Sequence, residues 1–113
     1  MSGITTHVLD TSRGRPAGGV PVVLEIRGED GAWREIARSA TDGDGRASLL
    51  APRSQVPRGV YRLTFDTGAY FLAANVESFY PEVRVVFEVR ELSPHHHIPL
   101  LLSPYAYSTY RGS

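Results

Sequence analysis

An all-β antiparallel sandwich with one short helix is the fold this sequence predicts, on three observations. Apolar and polar residues alternate with a period of two through most of the chain, Gly and Pro recur between the alternating runs, and only one brief stretch favours a helix. The 113 residues fit one domain, residues 1–113, with no internal repeat, low-complexity tract or linker to divide them.

In chain order, the first strand contains Thr5, Thr6, His7, Val8, Leu9 and Asp10, and its period puts His7 on the same face as Leu9. A loop follows over residues 14–19. Val20, Val22, Leu24 and Ile26 then share one face of a second strand, with Pro21, Glu25 and Arg27 on the other. The turn Gly28-Glu29-Asp30-Gly31 leads into a weaker strand, residues 33–40. Loops are expected over residues 42–45 and 52–59. Tyr61, Leu63 and Phe65 alternate with Arg62, Thr64 and Asp66, and Val83, Val85, Phe87 and Val89 alternate with Arg84, Glu88 and Arg90. Between these two runs, residues 67–75 predict the helix, capped by Asp66 or Thr67 and carried by Ala69, Leu72, Ala73 and Ala74.

The last strands are unusual. Ile98, Leu100 and Leu102 lie on one face and His97, Pro99 and Leu101 on the other, so both faces are partly apolar. The outward face of a sandwich strand is normally polar. A second buried surface, such as a subunit interface with a polar pocket, accounts for this pattern.

Composition narrows the function. Twelve basic and twelve acidic side chains cancel, which argues against binding to nucleic acid or an anionic membrane surface. No stretch approaches the length of an apolar membrane span, and the first residues lack the basic and apolar regions of a signal peptide. The expected compartment is the cytoplasm. The chain has no Cys, so neither disulfides nor thiolate chemistry contributes.

Three segments carry chemistry. The first runs from Thr5 through His7 and Asp10 to the Gly14-Arg15-Pro16-Ala17 turn, where His7 taken alone reads as a solvated strand residue. The second is Thr41-Asp42-Gly43-Asp44-Gly45-Arg46. Asp42 and Asp44 before a glycine suggest a calcium loop, but the further acidic positions and the closing glutamate of such a loop are missing. A tight turn delivering Arg46 into the next strand is the better reading. The third is the tail, with His95, His96 and His97 before Ile98-Pro99 and the ending Tyr110-Arg111-Gly112-Ser113. Three imidazoles suggest zinc. Adjacent strand residues face opposite ways, however, so only His95 and His97 converge, and neither cysteine nor a nearby carboxylate supports a metal.

These three segments together resemble the 5-hydroxyisourate hydrolases of the transthyretin family, which open with His-Val-Leu-Asp-Thr and end in Tyr-Arg-Gly-Ser after His-x-His-Val/Ile-Pro. The likeness spans nearly the whole chain, including residues 67–71 and 77–83; it departs at His96, where tyrosine is common, and at Ala106, where glycine or serine is common. The resemblance implies a transthyretin-like β-sandwich of two four-stranded sheets, and a homotetramer (a dimer of dimers) with its sites at the dimer–dimer interface. It implies no metal and no cofactor. The implied reaction is hydrolytic ring opening of 5-hydroxyisourate in urate degradation, with His7, Arg46 and His97 as the catalytic trio. Tyr110 would complete the substrate contacts, and Ser108, on the same face by parity, would add a hydroxyl. One histidine would take a proton from water while the other donates to or orients the ring; the sequence leaves open which does which. Arg46 would hold ring oxygens and the developing oxyanion. Arg111 and the Ser113 carboxylate are expected to fix the strand end by ion pairing, within the chain or across an interface. Two other classes remain beside this one, a transthyretin-like carrier of a small apolar ligand and a structural module of a larger enzyme.

Overall fold

The computed structural model describes residues 3–50, 56–90 and 95–113, and among them are nine strands and one helix. In chain order these are β1 (Gly3–Asp10), β2 (Arg15–Pro16), β3 (Pro21–Arg27), β4 (Trp33–Ala40), β5 (Arg46–Leu50), β6 (Gly59–Phe65), α1 (Thr67–Ala73), β7 (Val83–Val89), β8 (His95–Leu102) and β9 (Tyr107–Thr109). The loop expected over residues 52–59 lies outside the described residues as far as residue 55.

The strands form two sheets. In the first, β1 pairs with β8 on one side, while β5 and then β2 share its other side, and β9 closes the edge beyond β8. In the second the order is β4-β3-β6-β7, antiparallel throughout. The alternation read from the sequence becomes the packing between them. Ile4, Val8, Ala47, Leu49, Ile98, Leu100 and Leu102 of the first sheet meet Val22, Leu24, Tyr61, Leu63, Phe65, Val83 and Val89 of the second in one buried core. Each such side chain contributes about 1.5–3 kcal/mol by leaving water.

The structure departs from expectation in three details. Residues 14–19 are not wholly loop, because Arg15 and Pro16 pair with Asp10 and Leu9 and give the first sheet a fifth, two-residue strand. β1 and β8 run parallel, Gly3 opposite His95 through Asp10 opposite Leu102, although every other pair is antiparallel. The helix stops at Ala73 rather than near Asn75, whose φ of 58° lies in the left-handed region. Its start is as expected: Asp66 caps it by accepting a hydrogen bond from Ala69 N at 3.0 Å.

One inward-facing carboxylate sits in this core. Asp10 is 1% exposed and accepts hydrogen bonds from Ser12 Oγ (2.6 Å), the Ser12 and Arg13 main-chain N–H groups and Tyr70 Oη (2.7 Å). Burial raises its pKa, but the bonds from Ser12 and Tyr70 and the main chain outweigh burial and leave it below the ordinary 3.8. This network ties α1 to the end of β1. No helix of the described residues is long and apolar enough to cross a membrane.

Candidate active site

The outward face of the first sheet collects the chemistry. On β1 the residues Ile4, Thr6, Val8 and Asp10 are buried inward, which leaves Thr5, His7 and Leu9 pointing out. On β8, His96, Ile98, Leu100 and Leu102 are buried, with His95, His97, Pro99 and Leu101 on the other side. The parallel register sets Thr5 beside His97 and His7 beside Pro99. On the opposite flank of β1, Arg46 pairs with His7.

Arg46 reaches that position through a turn only glycine permits. Gly45 has φ +77°, and a Cβ there would stand 2.3 Å from the Val8 carbonyl oxygen. The bare backbone instead lets Val8 N donate to Gly45 O at 2.7 Å. Asp42 completes the turn. Its Oδ1 accepts from the Asp44 and Arg46 N–H groups, and these main-chain bonds, that to Arg46 first, hold its carboxyl below the ordinary 3.8. The segment weighed as a calcium loop is therefore a carboxylate-braced turn.

A hollow of about 410 Å³ opens on this face, lined by Thr5, Thr6, Asp42, Arg46, Ala47, Ser48, His95, His97 and Ser113. Two members of the expected trio, Arg46 and His97, border it directly. His7 is not among the lining residues but sits opposite Arg46, and its Nε2 lies 2.8 Å from the Asp44 carbonyl oxygen. A carbonyl only accepts, so this nitrogen carries the proton. The Arg46 guanidinium makes no ion pair among the described residues.

His97 is half-buried, and its pKa is pushed below the ordinary 6.5. Burial is the main cause, followed by the charges of His95, Arg46 and His7, with a hydrogen bond to Thr5 opposing them. Burial and these neighbouring charges both favour the uncharged imidazole. His95 lies parallel to it, ring centroids 6.0 Å apart, and Thr5 Oγ1 stands within hydrogen-bond distance of both. No group of three or more His, Asp or Glu suited to a metal ion occurs among the described residues.

The two hydroxyl residues are placed differently. Leu101 pairs with Ser108 and Leu100 with Thr109, and the same register resumes where His97 bridges Gly112. Pro99 interrupts the ladder because it has no N–H. By that register Ser108 and Tyr110 share the outward face, yet neither lines the hollow. Tyr110 is 58% exposed and borders a second hollow of about 240 Å³ with Val85, Phe87, Ile98 and Arg111. The ion pair expected of Arg111 is not formed among the described residues. The chain end is held by its backbone instead, Gly112 N donating to His97 O at 2.8 Å. Sequence reading missed Thr5, because a threonine in a strand carries no signal of its own, and it noticed Asp42 only as a calcium candidate and not as the brace of the turn.

The sequence and the fold are matched by known proteins. The model of the HIUase/Transthyretin family matches residues 4–112, and the chain belongs to that family. It is 47% identical over 118 residues to the 5-hydroxyisourate hydrolase of Caulobacter vibrioides, covering 100% of both chains. The structure of Klebsiella pneumoniae 5-hydroxyisourate hydrolase is similar with a TM-score of 0.85 at 38% identity, covering 99% of this chain and 100% of that one. Sea bream transthyretin in complex with thyroxine is similar with a TM-score of 0.90 at 36% identity, covering 97% and 94%.

Proposed function

We propose that this chain is a 5-hydroxyisourate hydrolase of urate degradation, working without metal or cofactor, with His97, Arg46 and His7 as its catalytic residues. The observation that carries the reading is an imidazole whose surroundings favour its neutral form and a guanidinium with no ion pair among the described residues, both on one hollow, in a member of the HIUase/Transthyretin family. His97, in its neutral form, takes a proton from water as the oxygen adds to a ring carbonyl carbon. Arg46 stabilises the resulting oxyanion with its donor fork. The carbon–nitrogen bond then breaks, the proton held by His97 passes to the departing nitrogen, and the product is 2-oxo-4-hydroxy-4-carboxy-5-ureidoimidazoline. His7, its Nε2 proton committed to Asp44, orients the ring through the other nitrogen.

The proposal includes the cytoplasm as compartment and a homotetramer, a dimer of dimers in which the hollow faces a second copy. Supporting the assembly are the half-buried Leu9 and Leu101 on the outward face and the openness of β7 and β9 at the sheet edges. Ser108 and Tyr110 would then complete substrate contacts across the interface. Sedimentation should give four times 12.4 kDa. A carrier for an apolar ligand is the second reading, favoured by the likeness to thyroxine-bound sea bream transthyretin; such a carrier has no task for a neutral histidine beside a free cation. Freshly generated 5-hydroxyisourate separates the two. The chain should accelerate loss of the substrate's near-ultraviolet absorbance, and a decay no faster than in buffer would reject the hydrolase.

A further inference from the structure

One hydroxyl stands between two imidazoles on the outward face. Thr5 Oγ1 lies 2.8 Å from His97 Nδ1 and 3.0 Å from His95 Nε2. A hydroxyl has a single proton to donate, so a bridge of this kind gives to one ring and accepts from the other. With His97 Nδ1 as the donor to Thr5 Oγ1, the Thr5 proton is left for His95 Nε2, and the His97 tautomer this requires keeps its lone pair on Nε2. His95 Nδ1 is buried with no hydrogen-bond partner among the described residues, so the ring's side-chain hydrogen bond is the one to Thr5.

The opposite edge of His97 is also fixed. A Cβ at Gly112 would stand 2.6 Å from His97 Cδ2 and 3.2 Å from Pro99 Cγ, so the glycine backbone closes on the ring where no other residue fits. With Nδ1 held by Thr5 and Cδ2 against Gly112, the remaining polar corner of the ring is Nε2.

We propose that Thr5 is a positioning residue for this site: it accepts the His97 Nδ1 proton in a hydrogen bond, relays its own to His95, and so leaves His97 Nε2 bare to receive a proton from water. The idea rests on the hydrolase reading for its consequence but not for its structural content. Of the other charged groups near the hollow, Arg46 and His7 act on the charge of His97, while Asp42 and Ser113 border the same hollow; the side chain hydrogen-bonded to Nδ1 is Thr5. A ring misheld in the other tautomer would present N–H where a lone pair is required.

The test uses the full-length protein with ¹⁵N-labelled histidine and two variants. In the wild type, His97 Nε2 should resonate as an unprotonated nitrogen above the ring's pKa. Thr5→Val should give a mixture of tautomers and a kcat lower by about 10–100-fold, the usual scale for losing an orienting hydrogen bond to a functional histidine, with KM little changed. Thr5→Ser, which keeps the hydroxyl, should restore both. A wild-type His97 carrying its proton on Nε2 overturns the proposal even if Thr5→Val does not fold, and so does a Thr5→Val protein with unchanged tautomer or unchanged kcat. Failure of the wild type to hydrolyse 5-hydroxyisourate would instead sink the functional reading, and the tautomer measurement would still decide the role of Thr5.

Discussion

The outward faces of the two sheets differ in how they treat charge. On the second sheet, Arg62 pairs with Glu25 at 2.7 Å and lies over the Trp33 ring, 4.4 Å from its centroid, and Arg38 is held by both carboxylate oxygens of Glu35. Around β7, Arg84 pairs with Glu82 and Arg90 with Glu88. On the first sheet, Arg46 has no such partner among the described residues, and it stands with three outward histidines. Asp42, the carboxylate side chain bordering that hollow, spends its oxygen on main-chain N–H groups of the turn. A cation left unneutralised beside a hollow retains its field for an incoming ligand, whereas one paired with a carboxylate has that field largely cancelled by its partner.

The widest expected contrast comes from one substitution on each face. Arg46→Gln should lower kcat/KM by about 10³-fold with an unchanged melting temperature, the scale of losing an oxyanion donor. Arg62→Gln should leave kcat/KM within twofold. Because Arg62 and Glu25 are only 15% and 19% exposed, its loss should instead cost about 1–2 kcal/mol in denaturant unfolding. If both variants lose activity alike, the two faces do not differ in function.

A pH profile sharpens the contrast further. The pKa of His97 is lowered in the folded protein, so the neutral base persists above that value and is lost as pH falls through it. The acid limb of kcat/KM should therefore have its midpoint below 6.5, with a tenfold fall per pH unit beyond it. A midpoint above 6.5 would remove His97 as the base.

Next in size is a test of how the Arg46 side is built. Gly45→Ala places a Cβ against the Val8 carbonyl at a positive φ and should destabilise by about 2–4 kcal/mol. Gly43→Ala, two residues earlier in the same turn with open space around it, should change stability by less than about 0.5 kcal/mol. Equal effects would mean that the turn tolerates a side chain at Gly45. The smallest expected effect belongs to the exposed Glu35–Arg38 pair, where Glu35→Gln should be nearly silent in thermal unfolding because both partners are solvated.

Much of this molecule was legible in local pattern. The inward sets Val22, Leu24 and Leu63, Phe65 appear in the chain as a period of two, and the structure buries them all. Asp66 or Thr67 before the alanines announced the helix, and Asp66 is the residue that caps it. The two ends of the chain, with His7 near one and Tyr110-Arg111-Gly112-Ser113 at the other, carried the family resemblance. Within the chain, among the described residues, that end is held by the backbone hydrogen bond from Gly112 N to His97 O and Arg111 has no ion pair.

The sequence by itself determined the two-faced strands, the turn chemistry at Gly45 and the identity of the polar groups, since each depends on neighbours a few residues away. Tertiary structure alone decided that β1 and β8 lie parallel in the register that puts Thr5 beside His97, that Arg46 lands opposite His7, and that Gly112 closes against an imidazole. Those juxtapositions join residues up to about ninety positions apart, and strand pairing at that range is set by the burial of whole faces rather than by any local preference.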